Sequence, residues 1–141
     1  MTCKRGDKGK VLLISANELY HRYQQKLETI GFNVFQTDRG DIALKKLGKC
    51  ECIRVVVVGS QVGGGLVGEE IGPETKAKPA ELAQLIVVKY PEMPVIVMDD
   101  AMAVNDALWR EHAGDTWPLY PQYVPDRLEA VQEELGKLFA E

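Results

Sequence analysis

The chain has 141 residues, of which 45% are hydrophobic and 27% charged, and its formal net charge is −4. This length and composition fit one globular domain with its own core, which excludes a disordered segment and a disulfide scaffold. Nucleic-acid binders usually present a basic surface, which this acidic chain lacks. No apolar run has the length of a membrane span, and no signal peptide precedes the first strand. We expect a cytoplasmic protein without nucleic-acid or membrane partners.

The cysteines Cys3, Cys50 and Cys52 do not form an even disulfide framework. His21 and His112 are isolated in the sequence, whereas a zinc site normally brings Cys and His ligands together at short spacings. We therefore expect reduced thiols, no bound metal and no cofactor.

Apolar runs of strand length alternate along the chain with helical repeats. Residues 1–9 are expected to form an N-terminal tail, and residues 10–141 the domain. Strands are predicted over 10–15, 32–37, 53–58, 94–98 and 116–120, and helices over 18–30, 41–47, 79–90, 101–112 and 125–138. Continuous apolar strands are typical of a parallel sheet covered on both faces. The strict alternation predicts an α/β fold, a doubly wound five-stranded parallel sheet flanked by five helices.

Ligand chemistry in such folds lies at the carboxyl ends of the strands, near a topological switch point. The sequence places polar segments there, at 15–18 after the first strand, 59–61 after the third and 99–100 after the fourth. We expect any functional site at this edge of the sheet.

Four segments carry a family resemblance: residues 28–32, 37–44, 93–98 and 112–121. Their glycine, aspartate and apolar positions, in this order, resemble the receiver domains of bacterial response regulators. The resemblance covers about residues 10–138. It implies a flavodoxin-like fold and a role in two-component signalling.

The resemblance also assigns places to the phosphorylation chemistry of working receivers. These are a magnesium-binding acidic pair after the first strand, a nucleophilic aspartate after the third, a Thr or Ser after the fourth and a lysine after the fifth. In this sequence they fall on Ile14 and Ser15 (or Ser15 and Ala16 with a shift of one residue), Gly59, Asp99 and Tyr120. None of them has the required side chain. We expect a phosphorylation-independent pseudo-receiver, not an enzyme, that works through protein partners of a signalling pathway.

A glycine-rich loop over 59–72 offers an alternative function as a small-ligand or nucleotide-binding module. It contains Ser60, Gln61, Gly63, Gly64, Gly65 and Gly68, and it formally matches a dinucleotide-binding G-x-G-x-x-G pattern. That pattern normally opens directly into a helix, whereas Gly72 and Pro73 interrupt one here. The other interpretations are a partner-binding lid and a loop without a ligand.

Asp99 and Asp100 are adjacent acids at a strand end. They are interpreted as caps of the next helix, where the helix dipole favours negative charge, in preference to a displaced cation site. Ser60 as a substitute phosphoacceptor has no neighbouring base to activate it. An enzyme with chemistry relocated to these three residues is therefore the last of the hypotheses.

Aromatic residues gather near the fourth helix and the last strand. Trp109, Tyr120 and Tyr123 are candidates for an interface with a partner or in a homodimer, because Trp and Tyr are enriched at interface hot spots. The alternative is ordinary packing, which is expected for Trp117. The Tyr120–Pro121 bond is a candidate for the cis form.

Overall fold

The computed structural model describes residues 10–15, 20–49, 53–59, 62–63, 76–77, 79–116 and 120–139. Within these ranges the strands are β1 (Lys10–Ile14), β2 (Asn33–Thr37), β3 (Ile53–Val58), β4 (Val62–Gly63), β5 (Lys76–Ala77), β6 (Val95–Met98) and β7 (Gln122–Val124). The helices are α1 (Tyr20–Thr29), α2 (Gly40–Lys49), α3 (Pro79–Lys89), α4 (Asp100–Ala113) and α5 (Leu128–Phe139).

Five of these strands form a parallel sheet in the order β2-β1-β3-β6-β7. Successive side chains of a strand point to opposite faces. On one face Val56 packs in a buried cluster with Leu82 of α3, and on the other Val57 packs with Leu27 of α1 and Leu135 of α5. Because helices cover both faces, the strands are apolar throughout, and the predicted doubly wound sheet is confirmed.

Glycines end two of the helices as the sequence predicts. Gly31 follows α1 with φ 107°, and the next N–H, from Phe32, donates to the Leu27 carbonyl at 3.1 Å. Gly114 follows α4 with φ 58°, and its N–H donates to the Arg110 carbonyl. Both backbones adopt conformations that side chains disfavour.

The segment after β3 contains a feature that the sequence did not predict. β4 and β5 pair antiparallel, with Val62 opposite Ala77 and Gly63 opposite Lys76. No strand was predicted between the third strand and the third helix, because two-residue strands that contain glycine, lysine and alanine have no recognisable strand pattern.

The last strand lies later in the chain than predicted. Residues 114–116 form a 3-10 turn instead of starting a strand, and β7 begins at Gln122. The prediction of a strand over 116–120 is therefore wrong. Gln122, Tyr123 and Val124 pair with Ile96, Val97 and Met98 of β6. Each of these three β7 residues has a backbone N–H for the sheet, which a proline such as Pro118 or Pro121 lacks. The Tyr120–Pro121 bond, a candidate for the cis form, is cis.

The start of α5 also differs from the prediction. Pro125 was expected in its first turn, but α5 begins at Leu128, and Pro125 accepts a hydrogen bond from the Arg127 N–H at 2.7 Å. None of the helices in the described part of the chain is long and apolar enough to cross a membrane.

Candidate functional site

The carboxyl ends of β1 and β3 lie side by side, with Ile14 opposite Val58. The Gly59 N–H donates to the Ile14 carbonyl at 2.7 Å, and the Ser15 N–H donates to the Thr37 carbonyl at 2.9 Å. Ser15 is 1% exposed, and Gly59 is buried. The residue that follows β1 is therefore a serine with a hydroxyl, and the residue that follows β3 is a glycine with no side chain.

Asp99 follows β6 and caps α4. Its Oδ1 accepts a hydrogen bond from the Met102 N–H at 3.0 Å, and its backbone is extended, as an N-cap residue requires. Its own N–H donates to the Val124 carbonyl at 2.9 Å. The interpretation of Asp99 as a helix cap is confirmed.

Asp100 forms a hydrogen bond with the backbone of the segment that leads into α5. Its Oδ1 accepts a hydrogen bond from the Asp126 N–H at 3.0 Å. It lies in the first turn of α4, where the positive end of the helix dipole stabilises a carboxylate. Both acids thus have structural partners at this edge.

The residue that ends the last strand is Val124, followed by Pro125, and it lies opposite Met98. Tyr120 precedes β7, so its predicted place at a carboxyl end is wrong. The cause is the shift of the strand from 116–120 to Gln122–Val124. Burial, and then the charge of Glu134, raise the pKa of the Tyr120 phenol above its usual value.

The described residues do not fit the magnesium ion that working receivers hold. Mg²⁺ prefers an octahedron of oxygen ligands that includes carboxylates. Ser15 and Gly59 supply no carboxylate, and Oδ1 of both Asp99 and Asp100 accepts a backbone N–H. Within the described ranges, no three His, Cys, Asp or Glu side chains gather as a metal-binding group. Asn17 and Glu18, which were predicted from the sequence to lie at this edge, are outside these ranges.

Most of the glycine-rich loop lies outside the described residues, including Ser60, Gln61, Gly64, Gly65 and Gly68. Gly63 is the described member, and it pairs with Lys76. The ligand-binding hypothesis for this loop stays a prediction. Cys50 and Cys52, expected to be reduced thiols, also lie outside the described residues.

The outer side of α4 exposes large apolar side chains. Val104 is 63% exposed, Leu108 59% and Trp109 54%, and Met102 adds to them. We call these four residues the α4 surface. Val104 and Leu108 are four residues apart and therefore neighbour each other on the helix, whereas Met102 and Trp109 lie further around it. Exposed large apolar residues that neighbour each other are typical of interaction sites, although single ones are ordinary. Trp109 therefore fits the interface interpretation.

The two tyrosines of the predicted interface are half-buried. Tyr123 packs against the core cluster under α2 and α3. Burial, followed by the charges of Asp106 and Asp99, raises the pKa of its phenol above the usual value. Tyr123 thus joins the core to the side of the domain that carries α4, and Trp117 lies outside the described residues.

An ion pair between a buried aspartate and a partly exposed arginine, which was not predicted from the sequence, connects α4 to β7. Asp106 is 5% exposed, and its Oδ2 lies 2.8 Å from Nε of Arg110. The same oxygen accepts the Tyr123 N–H at 3.4 Å, and Nη2 of Arg110 donates to the Pro121 carbonyl at 3.4 Å. The available signal was an acid and an arginine four residues apart on a helix.

Solved receiver domains share this fold. The structure matches the non-phosphorylated HemR receiver domain from Leptospira biflexa with a TM-score of 0.64 at 16% identity, over 94% of this chain and 95% of that one. It matches the receiver domain of Francisella response regulator 1452 at 0.65 and 14% identity, over 93% and 96%. It matches response regulator TrrA from Thermotoga maritima, in complex with Mg²⁺ and BeF, at 0.62 and 17% identity, over 92% and 98%.

No protein-family model and no curated protein matches the sequence. At these identities the solved structures establish the fold, a five-stranded parallel sheet with five helices in the receiver arrangement.

Proposed function

We propose that the chain is a phosphorylation-independent pseudo-receiver that acts in signal transduction through protein–protein contacts. The observation that carries the proposal is the end of the central strand. β3 ends at Val58, and the next residue is the buried Gly59. A glycine has no atom that can attack a phosphoryl donor, so the nucleophile of a working receiver is missing at this place.

The surroundings of Gly59 support the same conclusion. Ser15 offers a hydroxyl where the acidic pair would bind magnesium, and Val124 ends β7 where a lysine would neutralise the phosphoryl charge. Asp99 adds a negative charge close to that place, which repels an incoming phosphoryl group. The proposal therefore excludes phosphotransfer by the usual route and assigns the protein no enzymatic activity.

A domain without a phosphoacceptor can still bind partners. The α4 surface supplies the apolar contact area, and Trp109 is a residue type common at the centre of interfaces. We propose this surface as the binding face for a cytoplasmic signalling protein or for a second copy of the chain. Fold alone does not determine function, so the surface needs its own test.

The test of phosphorylation independence is a two-dimensional amide NMR titration of the whole chain with Mg²⁺, then with beryllofluoride, which mimics a bound phosphoryl group. We expect the amide resonances of Ser15, Gly59 and Asp99 to stay unchanged at Mg²⁺ and beryllofluoride concentrations that saturate a working receiver. Saturable shifts at these three residues would contradict the proposal.

The test of the binding face compares two variants of equal polarity. Leu108→Ser changes the α4 surface, whereas Val88→Ser changes α3, where Val88 is 70% exposed. If the chain self-associates, we expect sedimentation equilibrium to show weaker association for L108S and unchanged association for V88S. If the partner is another protein, we expect the wild type and V88S to capture it from the native extract and L108S to fail. Equal behaviour of the two variants in both measurements would refute this face.

A further inference from the structure

A shallow, open cavity of about 530 Å³ lies at the amino-terminal edge of the sheet, opposite the candidate site. It lies between the start of β3 and the turn that joins α3 to β6. Its apolar walls include Ile53, Tyr90 and Met93. Its volume lies within the range of small-molecule sites, which span roughly 300–1,000 Å³.

Backbone hydrogen bonds fix the shape of this cavity. The Tyr90 N–H donates to the Ile86 carbonyl at 2.7 Å, and the Met93 N–H donates to the Tyr90 carbonyl at 3.0 Å. The Val56 N–H donates to the Pro94 carbonyl at 2.9 Å, which joins the turn to β3. Tyr90 also lies against α2, because a Cβ placed on Gly48 would be 3.8 Å from its hydroxyl oxygen. These contacts hold the backbone around the cavity in place.

Two cationic side chains line the same cavity, Arg54 from β3 and Lys89 from the end of α3. Among the described residues neither makes an ion pair or a side-chain hydrogen bond. Glu92 is also in the lining, which leaves one net positive charge. The dipole of α3 favours a cation at Lys89, but it gives no reason for Arg54 on a strand.

We propose that this cavity binds a small organic anion, with an apolar or aromatic body against Ile53, Tyr90 and Met93 and its anionic group between Arg54 and Lys89. The anionic group is a carboxylate or a phosphate ester. A guanidinium binds either of them through two parallel hydrogen bonds, and the ammonium adds a point charge. The site is separate from the carboxyl edge and does not depend on the proposed pseudo-receiver function.

The test is an amide NMR titration of the whole chain with phenyl phosphate and, separately, with phenylacetate. Benzyl alcohol provides the apolar body without charge, and inorganic phosphate provides the charge without the body. We expect saturable shifts at Arg54, Tyr90 and Met93 with at least one of the two aromatic anions, and the tighter ligand identifies the preferred anionic group. No localised shift with either, or equal binding of benzyl alcohol or inorganic phosphate, would overturn the proposal.

A pair of double variants isolates the contribution of the two cations. Arg54→Gln with Lys89→Gln should weaken binding about tenfold or more, since charge-assisted hydrogen bonds are lost. Arg22→Gln with Lys26→Gln removes the same charge from the exposed surface of α1 and should leave binding unchanged. Equal affinities of the two double variants would also overturn the proposal.

Discussion

Asp106 on α4 accepts a hydrogen bond from the backbone N–H of Tyr123 on β7, at 3.4 Å. β7 is an edge strand of the sheet, and the N–H groups on a free edge invite pairing with another chain. The Asp106 carboxylate accepts a hydrogen bond from one of these N–H groups. Nε of Arg110 lies 2.8 Å from the carboxylate and balances the charge of Asp106. This contact fixes the helix that carries the α4 surface to the sheet.

Removing one partner of the pair should be costly, because Arg110→Ala leaves the buried Asp106 carboxylate unpaired and Asp106→Ala leaves the Tyr123 N–H without its acceptor. We expect Arg110→Ala to lower the free energy of unfolding by about 2 kcal/mol and Asp106→Ala by about 3 kcal/mol. The double variant should lose less than the sum of these two values. Urea denaturation of the four proteins measures this coupling, and additive losses would show that the pair does not act as a unit.

Two glycines with open space around them should respond in opposite ways to the same substitution. Apart from the adjoining backbone, no atom lies within 4 Å of a Cβ placed on Gly136 or on Gly114, but Gly114 has φ 58°. Gly136→Ala should stabilise the domain by about 0.5–1 kcal/mol, because alanine is the better helix former. Gly114→Ala should destabilise it by about 1 kcal/mol, because its backbone conformation strains a side chain. Thermal denaturation distinguishes the two signs.

The Arg39–Asp41 pair at the start of α2 should make stability depend on acid pH. Nε and Nη2 of Arg39 donate to the two carboxylate oxygens at 3.1 Å each. These hydrogen bonds lower the pKa of Asp41 below its usual 3.8. The pair therefore stabilises the fold fully above the unfolded pKa of 3.8, and the stabilisation is lost as the pH falls through the lower folded pKa.

The measurement is urea denaturation of the wild type and Arg39→Gln between pH 7 and pH 2. The stability difference should be constant at neutral pH and disappear at the acid end. Lys45→Gln, on the exposed side of the same helix, is the control and should show no such convergence. A difference that persists unchanged to pH 2 would mean that Arg39 acts other than through the Asp41 carboxylate.

The cap of α4 should tolerate one substitution and not another. Asp99→Ala removes the acceptor of the Met102 N–H and should cost about 1 kcal/mol. Asp99→Thr keeps a side-chain oxygen there and should retain most of that stability. Chemical denaturation gives both values. Equal losses in the two variants would mean that the carboxylate charge, rather than the cap hydrogen bond, is what α4 needs.

The sequence was sufficient to predict the sheet and its helices, because apolar runs such as β3 have strand length and Gly31 and Gly114 end helices by their own backbone preferences. It was insufficient for β7. Apolar and aromatic residues occur on both sides of Pro121, and only the pairing with β6 selects Gln122–Val124. That selection also moved the end of the last strand from Tyr120 to Val124.

The Asp106–Arg110 pair was beyond prediction for a related reason. The residues next to Asp106 on α4 are exposed, and nothing in the local sequence pattern indicates that Asp106 is buried. Its partner N–H belongs to Tyr123, 17 residues away, so the need for an acceptor exists only once β7 is in place. The cap at Asp99 was predictable, since an acid before a helix has a local function.

Covalent phosphorylation tests the central claim most directly. The whole chain is incubated with Mg²⁺ and acetyl phosphate, beside a working receiver as positive control, and the intact mass is measured. The pseudo-receiver account predicts an unchanged mass for this chain while the control gains a phosphoryl group. A single phosphoryl addition that is labile to hydroxylamine, as an aspartyl phosphate is, would contradict it and place a working phosphoacceptor at Asp99, Asp100 or another carboxylate.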